Sequence, residues 1–280
     1  MEILRYAAFT TDPAGGNPAG VVLDAEGADA EQMLRTAAEV GYSETAFLTP
    51  LDEGRFEVAY YSPLAMVPFC GHATIASAVA YAERHGTGTL RFDTAAGRID
   101  VTTTVASDGA ISATLVSVPP RTEPLVDADL AALLGALRWS PDDLDPALPP
   151  RAAFAGAWHP IVAAATRERL ADLDYDFDAL GALMARRDWT TVNLVWRESP
   201  EVFHARNPFP PGGVVEDPAT GAAAAAFGGY LREQGVVTPP VTVTVHQGHD
   251  LGRPSLLTVY IDPDPASGIA VTGTAVRMPD

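Results

Sequence analysis

The sequence predicts an α/β protein built from two domains of one design, and three observations predict it. PFCGHATIASAVAYAERHG (68–86) and EDPATGAAAAAFGGYLREQG (216–235) say the same thing about 150 residues apart: a Pro/Gly-rich turn, a glycine, an Ala-rich stretch of helical length and a charged end closing on Gly86 or Gly235. That spacing is far too long for a solenoid repeat. Second, residues 74–82 and 222–231 are apolar nearly all round, where a surface helix would show one stripe, so each reads as a buried central helix. Third, a β-rich stretch with an AG or QG turn follows each: LRFDTAAGRIDVTTT and VTVTVHQGHDLGRPSLLTVYI. Two helix N-termini, each with free N–H groups and the positive end of a dipole, are then available to face a shared cleft and hold an anion.

The elements follow in order. Residues 1–9 and 19–25 read as strands around the turn TDPAGGNPAG. Residues 30–40 have helical spacing, 45–49 and 55–61 alternate as strands, and the first central helix follows. Strands near 90–93, 98–104 and 110–117 finish the first unit, and Pro119-Pro120 marks a boundary. Beyond it, 127–138 reads as a helix, 141–150 (PDDLDPALPP) as a loop, 161–165 as a strand, 177–186 as a helix, and 191–197 and 201–207 as strands. The second central helix and a hairpin come next. A last apolar strand at 268–276 follows the turn DPDPASG and is expected to return to the first sheet. The expected domains are 1–117 with 266–280, and 118–265.

Composition narrows the function. All 18 cations are Arg, so Schiff-base chemistry, Lys-anchored pyridoxal phosphate and the phosphate-binding P-loop are excluded. A net charge of −18 argues against nucleic acid and anionic membranes as partners. The single cysteine, Cys70, rules out an intrachain disulfide and fits a reducing compartment. MEILRYAAFT has neither a basic n-region nor an apolar h-region, and no run of about 20 apolar residues exists; a cytoplasmic location is expected.

Few residues carry chemistry. Glu44, in GYSETAFL, sits between a helix and an apolar strand, where Tyr42, Ala46 and Phe47 should partly desolvate its carboxylate and suit it to proton transfer; alone, a Glu at a strand start more often caps or faces solvent. His72 follows Gly71 at a helix start, placed to donate to a substrate oxygen or to serve structure. Cys70 beside it reads as a thiol with a lowered pKa at a helix N-terminus or, preferably, as a small buried residue. Asp217, in Asp-Pro-Ala-Thr-Gly, either caps the second central helix with Pro218 in its opening turn or faces Glu44 and His72 as an acid/base partner. No metal site is expected: of the six His, only HQGH (246–249) is clustered, in a strand-turn context with no second cluster. GGNPAG and PGG do not fit a dinucleotide fingerprint, and no Gly-x-Ser-x-Gly elbow occurs.

The motifs FTTDPAGGNPAGVVLDA, ETAFL, YSPLAMVPFCGHATIA, TAAGRI, EDPATGAAAAAFGGYL and QGHDLGRPS, in this order and across essentially the whole chain, resemble the PhzF-like phenazine-biosynthesis isomerase family. The resemblance implies a diaminopimelate epimerase-like fold, with two pseudo-symmetric domains, each a strongly curved, mostly antiparallel sheet around a central helix. It implies a homodimer, no cofactor, and proton shuttling on a small carboxylate-bearing, dihydro-hydroxyanthranilate-like metabolite. Glu44 falls on the family's base, with His72 and Asp217 as its polar partners. Ser43, Gly71, Gly221, Ala222 and Asn17 fall on substrate-binding positions. Epimerases of this fold use two opposed cysteines, so with one cysteine Cys70 is expected to be inert.

Two departures stand out. Family members commonly carry Ser after the motif Gly, where this chain has Ala222; a lost hydrogen bond to a charged group is worth roughly 1.5–3 kcal/mol. Many also carry Glu before the Val-Pro pair, where this chain has Met66. The base survives while the anion contacts change, which points to retained chemistry on a shifted substrate. The competing readings are an epimerase or racemase using carboxylate and His, which would exchange an sp³ α-proton without moving a double bond, and a non-catalytic small-molecule-binding protein on the same scaffold, whose affinity would be indifferent to Glu44→Gln.

Overall fold

The computed structural model describes residues 1–106 and 109–279. The chain divides into two compact units, Met1–Val116 with Thr272–Asp280, and Ser117–Val271. Unit 1 runs β1 (Leu4–Ala8), β2 (Asn17–Val22), α1 (Ala30–Val40), β3 (Glu44–Asp52), β4 (Arg55–Tyr61), β5 (Met66–Val67), α2 (Gly71–His85), β6 (Thr89–Thr94), β7 (Gly97–Val105) and β8 (Ile111–Val116). Unit 2 runs β9 (Arg121–Pro124), α3 (Asp127–Leu137), β10 (Arg151–Phe154), β11 (Trp158–Ala163), α4 (Arg167–Ala171), α5 (Phe177–Arg187), β12 (Asn193–Ser199), β13 (Val202–Phe209), β14 (Val214–Asp217), α6 (Gly221–Glu233), β15 (Val241–Gln247) and β16 (Ser255–Ile261). The last strand, β17 (Ala270–Arg277), joins unit 1 from Thr272 on.

In unit 1 the pairings close into a ring, β1–β2–β3–β4–β6–β7–β8–β17 and back to β1. Of these pairings β2–β3 and β4–β6 are parallel, and each needs a crossover: α1 supplies the first and α2 the second. The α2 crossover runs inside the ring, packed against β1, β2, β3, β7 and β8. Ala73, Ile75, Ala76, Ala78, Val79 and Ala80 are therefore buried on every side of the helix, and their small side chains allow the close approach. On the outer face, α1 covers Val22, Phe47 and Tyr61. Covered on both faces, β3 is buried without a break from Thr45 to Leu48 instead of alternating.

Unit 2 repeats this plan strand for strand. β10–β11 is antiparallel, β11–β12 parallel, β12–β13 antiparallel, β13–β15 parallel and β15–β16 antiparallel. These match β1–β2, β2–β3, β3–β4, β4–β6 and β6–β7, and β14 stands to α6 as β5 stands to α2. The helix α6 packs on β9, β10, β11 and β16, while α3, α5, Trp139 and Trp189 build an outer apolar layer.

The expected return of the chain at 266 falls six residues early. Residues 266–271 stay with unit 2, because the Ser117 N–H donates to the Ile269 carbonyl at 2.9 Å and the Ile269 N–H donates to Ser117 Oγ at 3.0 Å. Within the loop expected at 141–150, Pro141–Asp143 forms a 3-10 turn in which Ser140 and Asp143 cap each other. No helix among the described residues is long and apolar enough to cross a membrane.

Inside α6, Gly228-Gly229 would ordinarily cost about 1 kcal/mol per glycine relative to Ala. A Cβ on Gly229 would lie 2.3 Å from Pro120 Cβ, so the helix trades propensity for close approach. Gly229→Ala should therefore destabilise the protein by about 1–2 kcal/mol, overpacking outweighing the propensity gain. Urea unfolding measures this, and a more stable variant would contradict the packing account.

Candidate active site

In unit 1 the chemistry gathers at the first turn of α2. β3 starts on Glu44 in parallel register with Ala19 of β2, and Asn17, buried, lies two residues earlier on the same face of β2. The Glu44 side chain is 14% exposed, and its Oε2 lies 3.4 Å from His72 Nε2. Ser43 Oγ stands 3.4 Å from the same nitrogen. On the other side of the ring, Cys70 Sγ lies 3.3 Å from His72 Nδ1. The structure thus brings together Ser43, Glu44, Gly71 and His72, and adds Cys70, which the sequence reading had set aside as a small buried residue.

Cys70 occupies the N-cap position of α2 but makes no side-chain capping bond. Gly71 is half-buried, whereas His72 to Ala80 are buried, so the helix meets solvent at its first turn, where its N–H groups have no intrahelical acceptor. Thr74 Oγ1 donates to the Cys70 carbonyl at 2.7 Å. With that proton spent, the buried Tyr60 hydroxyl is the donor in its 2.6 Å contact with Thr74 Oγ1. Burial pushes the Tyr60 phenol well above its ordinary value, which keeps it a neutral donor.

In unit 2 the equivalent turn is built differently, and the expected cap is corrected. Asp217 ends β14, α6 begins at Gly221, and Thr220 is the N-cap, so Pro218 precedes the helix instead of opening it. The Thr220 hydroxyl donates to the Asp217 carboxylate. Gln247 locks this turn: its Oε1 accepts the Thr220 N–H at 3.1 Å, and its Nε2 donates to the Asp217 carbonyl at 2.7 Å and to Thr220 Oγ1 at 3.0 Å. Gly248, at φ +74°, lets the chain pass close by, since a Cβ there would lie 2.7 Å from the Pro218 carbonyl. Upstream, Arg206 grips the buried Glu216 through Nε (3.0 Å) and Nη2 (2.6 Å) and holds β14 to β13. Gly221 and Ala222 are half-buried and the rest of α6 is buried down to Leu231. Thr220 likewise makes no side-chain capping bond to the helix.

The matching registers make residue equivalences explicit. Ala19 pairs with Glu44 as Ile161 pairs with Asn193, so Asn193 holds the place of Glu44 and His159 the place of Asn17. Cys70 and Thr220 are the two N-caps, and His72 corresponds to Ala222. The Asn193 amide donates to the Ala223 carbonyl and accepts from Asn207 Nδ2, both at 3.4 Å. Asn207 Oδ1 accepts the Thr191 hydroxyl, and Thr191 Oγ1 lies 2.9 Å from His159 Nδ1. Thr191 has one proton and gives it to Asn207, so His159 Nδ1 carries the hydrogen in its own contact with Thr191. His159 Nε2 is buried without a hydrogen-bond partner among the described residues. The Glu44 position thus has a fixed, neutral, hydrogen-bonded counterpart in the other unit.

HQGH also has more company than the sequence indicated. The parallel pairing of β13 with β15 sets His204 beside His246, with ring centroids 5.1 Å apart, and His249 lies 5.3 Å from His246. Burial first, then the neighbouring His204 and His249, hold the His246 imidazole below its ordinary value. Met66, on β5, is 53% exposed.

Each unit is a curved sheet wrapped on a buried helix whose first turn is open, which defines the class of diaminopimelate epimerase-like proteins. A solved PhzF-family phenazine-biosynthesis protein from Bacillus anthracis superposes with a TM-score of 0.89 at 25% identity, over 100% of this chain and 98% of the other. A probable proline racemase from Agrobacterium radiobacter shares the fold alone, with a TM-score of 0.66 at 14% identity over 98% and 90% of the two chains. The family model described as phenazine biosynthesis-like protein, PhzC-PhzF, matches residues 6–280. An uncharacterized isomerase of Escherichia coli, YddE, is 31% identical over 99% of this chain and 96% of its own. The trans-2,3-dihydro-3-hydroxyanthranilate isomerase of Pseudomonas chlororaphis is 30% identical over 97% and 95%. The chain belongs to the PhzC/PhzF family and is an isomerase.

Two outcomes follow from this geometry. Gln247→Leu keeps the bulk but strands the Thr220 N–H and the Asp217 carbonyl, and should cost about 1–3 kcal/mol in urea unfolding; an unchanged midpoint would mean the turn holds itself. Desolvation lowers the buried His159 from the usual 6.5 to about 4. The unfolded chain therefore binds the extra proton first, and the neutral imidazole's contribution is complete above about pH 6.5 and lost as the pH falls toward 4. At 1.36 kcal/mol per pKa unit this is on the order of 3 kcal/mol. Subtracting the pH–stability profile of His159→Gln from that of the wild type should isolate this difference, and parallel profiles would refute it.

Proposed function

We propose that this isomerase moves a proton, and with it a double bond, within a small cyclic carboxylate, using Glu44 as the single base and returning acid. The observation that carries the reading is the one-sidedness of the site. Glu44 is a half-desolvated carboxylate 3.4 Å from His72 at an open helix end, while Asn193 at the corresponding place is an amide tied to the α6 backbone. A carboxylate can take a proton and give it back; an amide cannot. A two-base epimerase needs opposed groups, yet the counterpart of Cys70 is Thr220.

In this reading Glu44 removes a proton from a ring carbon, and the C–H electron pair enters the conjugated system beside the substrate's carboxylate or carbonyl. Glu44 exchanges the proton it has taken with solvent and then delivers a proton to another carbon, so substrate and product are isomers and nothing else is consumed. His72 and Ser43 orient the Glu44 carboxyl and hold polar groups of the substrate. The open first turn of α2 offers N–H groups to developing negative charge beside Glu44, and in unit 2 the first turn of α6 is open in the same way. Asp217, held by Thr220 and Gln247, presents a fixed carboxylate to an amino or hydroxyl group. With Ala222 where a hydroxyl is usual in the family, the backbone N–H groups of the α6 first turn carry the anion contact there, and in unit 1 the exposed Met66 puts an apolar side chain where Glu is usual. Both changes favour a substrate related to dihydro-hydroxyanthranilate but different at its carboxylate end.

The test is proton NMR in D2O with trans-2,3-dihydro-3-hydroxyanthranilate, the substrate named for relatives about 30% identical, wild type beside Glu44→Gln. The expected result is double-bond movement with deuterium uptake in the wild type and a fall of about 10²- to 10⁴-fold in the variant. Equal rates would remove Glu44 as the base. An inert wild type would reject this substrate and move the search to other cyclic or α-amino carboxylates.

A further inference from the structure

Tyr60 is fully buried, and the proposed proton transfer makes no use of its hydroxyl. It stands on β4 directly opposite Ala46 of β3, and Ala46 lies two residues beyond Glu44 on the same face of that strand. The part of the wall that carries the carboxylate therefore also carries the phenol. Tyr60 reaches inward to α2, where its hydroxyl meets Thr74 Oγ1 at 2.6 Å. Thr74 Oγ1 donates to the Cys70 carbonyl at 2.7 Å, and the Thr74 N–H donates to the same carbonyl at 3.1 Å. A carbonyl only accepts, so the direction of the chain is fixed: Tyr60 donates to Thr74, and Thr74 to Cys70. The chain ends on the peptide that joins Cys70 to Gly71, one residue before His72.

On this helix a polar link carries weight. Ala73, Ala76 and Ala80 give α2 a smooth buried surface, and dispersion contacts between small side chains fix its rotation and axial position only loosely. A hydrogen bond, by contrast, weakens steeply with distance and angle. One turn further on, Ser77 Oγ is buried without a hydrogen-bond partner among the described residues, so it adds no second link. The Phe69 ring packs edge-on against Tyr60, with centroids 5.9 Å apart, and seats the chain just before the helix.

We propose that Tyr60, acting through Thr74, is a positioning residue that holds His72 on α2 at its working distance from Glu44 on β3. The catalytic consequence rests on the role proposed for Glu44, whereas the positioning of His72 does not. Without the Tyr60 hydroxyl, the first turn of α2 keeps its own hydrogen bonds but loses its polar tie to the wall. The 3.4 Å contact between His72 Nε2 and Glu44 Oε2 is then no longer held from the helix side. A base and its partner that drift apart spend less time in reactive geometry, so the loss falls on kcat.

Tyr60→Phe removes one oxygen and leaves the ring, and far-ultraviolet circular dichroism should show the fold intact. The first readout needs no substrate. In protein labelled with 15N-histidine, the His72 ring resonance, assigned by its loss in His72→Gln, should move in Tyr60→Phe. The resonances of His159, His204, His246 and His249, all in unit 2, should stay where they are. In turnover, kcat should fall by about 2- to 10-fold, the worth of one hydrogen bond, with KM nearly unchanged. Thr74→Val should lose at least as much, and Thr74→Ser, which keeps the hydroxyl, should recover most of it. The double variant Tyr60→Phe/Thr74→Val should be no slower than Thr74→Val alone, because both changes break one chain. An unmoved His72 resonance, or losses that multiply in the double variant, overturns the proposal. A moved resonance with kcat unchanged rejects the catalytic consequence. If Glu44→Gln turns over as fast as the wild type, the role of Glu44 falls, and the His72 resonance alone decides the positioning. Should Tyr60→Phe fail to fold, Thr74→Val against Thr74→Ser decides by the same two readouts.

Discussion

Everything in each unit depends on burying one helix that has no polar face. A helix apolar all round cannot lie on a surface, and a flat sheet covers only one side of it. The strands must therefore curl until they surround it, which in unit 1 means a closed ring through β17. Small side chains on α2, and Gly229 on α6, let the wall come close enough. The helix's own hydrogen bonds satisfy its backbone everywhere except at the ends. Its open first turn is the one place where a buried dipole meets solvent, and in unit 1 that is where Glu44, His72 and Cys70 gather.

The two units share pairing order and differ in what they place at equivalent positions. Glu44 is answered by Asn193, Cys70 by Thr220 and His72 by Ala222. Glu44, His72 and Cys70 at the unit 1 turn thus have neutral counterparts in unit 2, where Gln247, Asn207 and Thr191 tie the turn and its neighbours into a network that fixes orientation. The division matches the proposal that Glu44 both removes and restores a proton, since its counterpart Asn193 has no proton to exchange in that way.

Much of this was legible in the chain itself. The duplicated helix segments and their β-rich sequels announced two like units, because an all-round apolar helix leaves few architectures open. Glu44 and His72 were readable from their positions at element starts. What escaped was whatever depends on register. Asp-Pro-Ala-Thr-Gly reads equally well with Asp217 or Thr220 as the cap, and only the position of Gly221 at the first helical turn decides. His204 is distant in sequence from His246 and reaches it through a parallel pairing that local pattern does not encode. Gln247 looked like part of a turn because its three hydrogen bonds go to a segment far upstream. The equivalence of Asn193 and Glu44 has no sequence signal at all, since the residues are unlike and only aligned strands reveal it.

The position of β17 has a consequence for how the protein is made. Unit 2 is one uninterrupted stretch, Ser117–Val271, whereas unit 1 is split around it. During synthesis, all of unit 2 leaves the ribosome before the strand that seals unit 1. A ring awaiting its last strand keeps the edges of β1 and β8 unpaired, and unpaired edges are where nascent chains aggregate. Early folding of unit 2 shortens the effective loop that separates β1 from β17 and so lowers the entropy cost of that long-range pairing. The inserted unit thereby serves as a tether, and the unit that carries Glu44 and His72 is the last part of the chain to be completed.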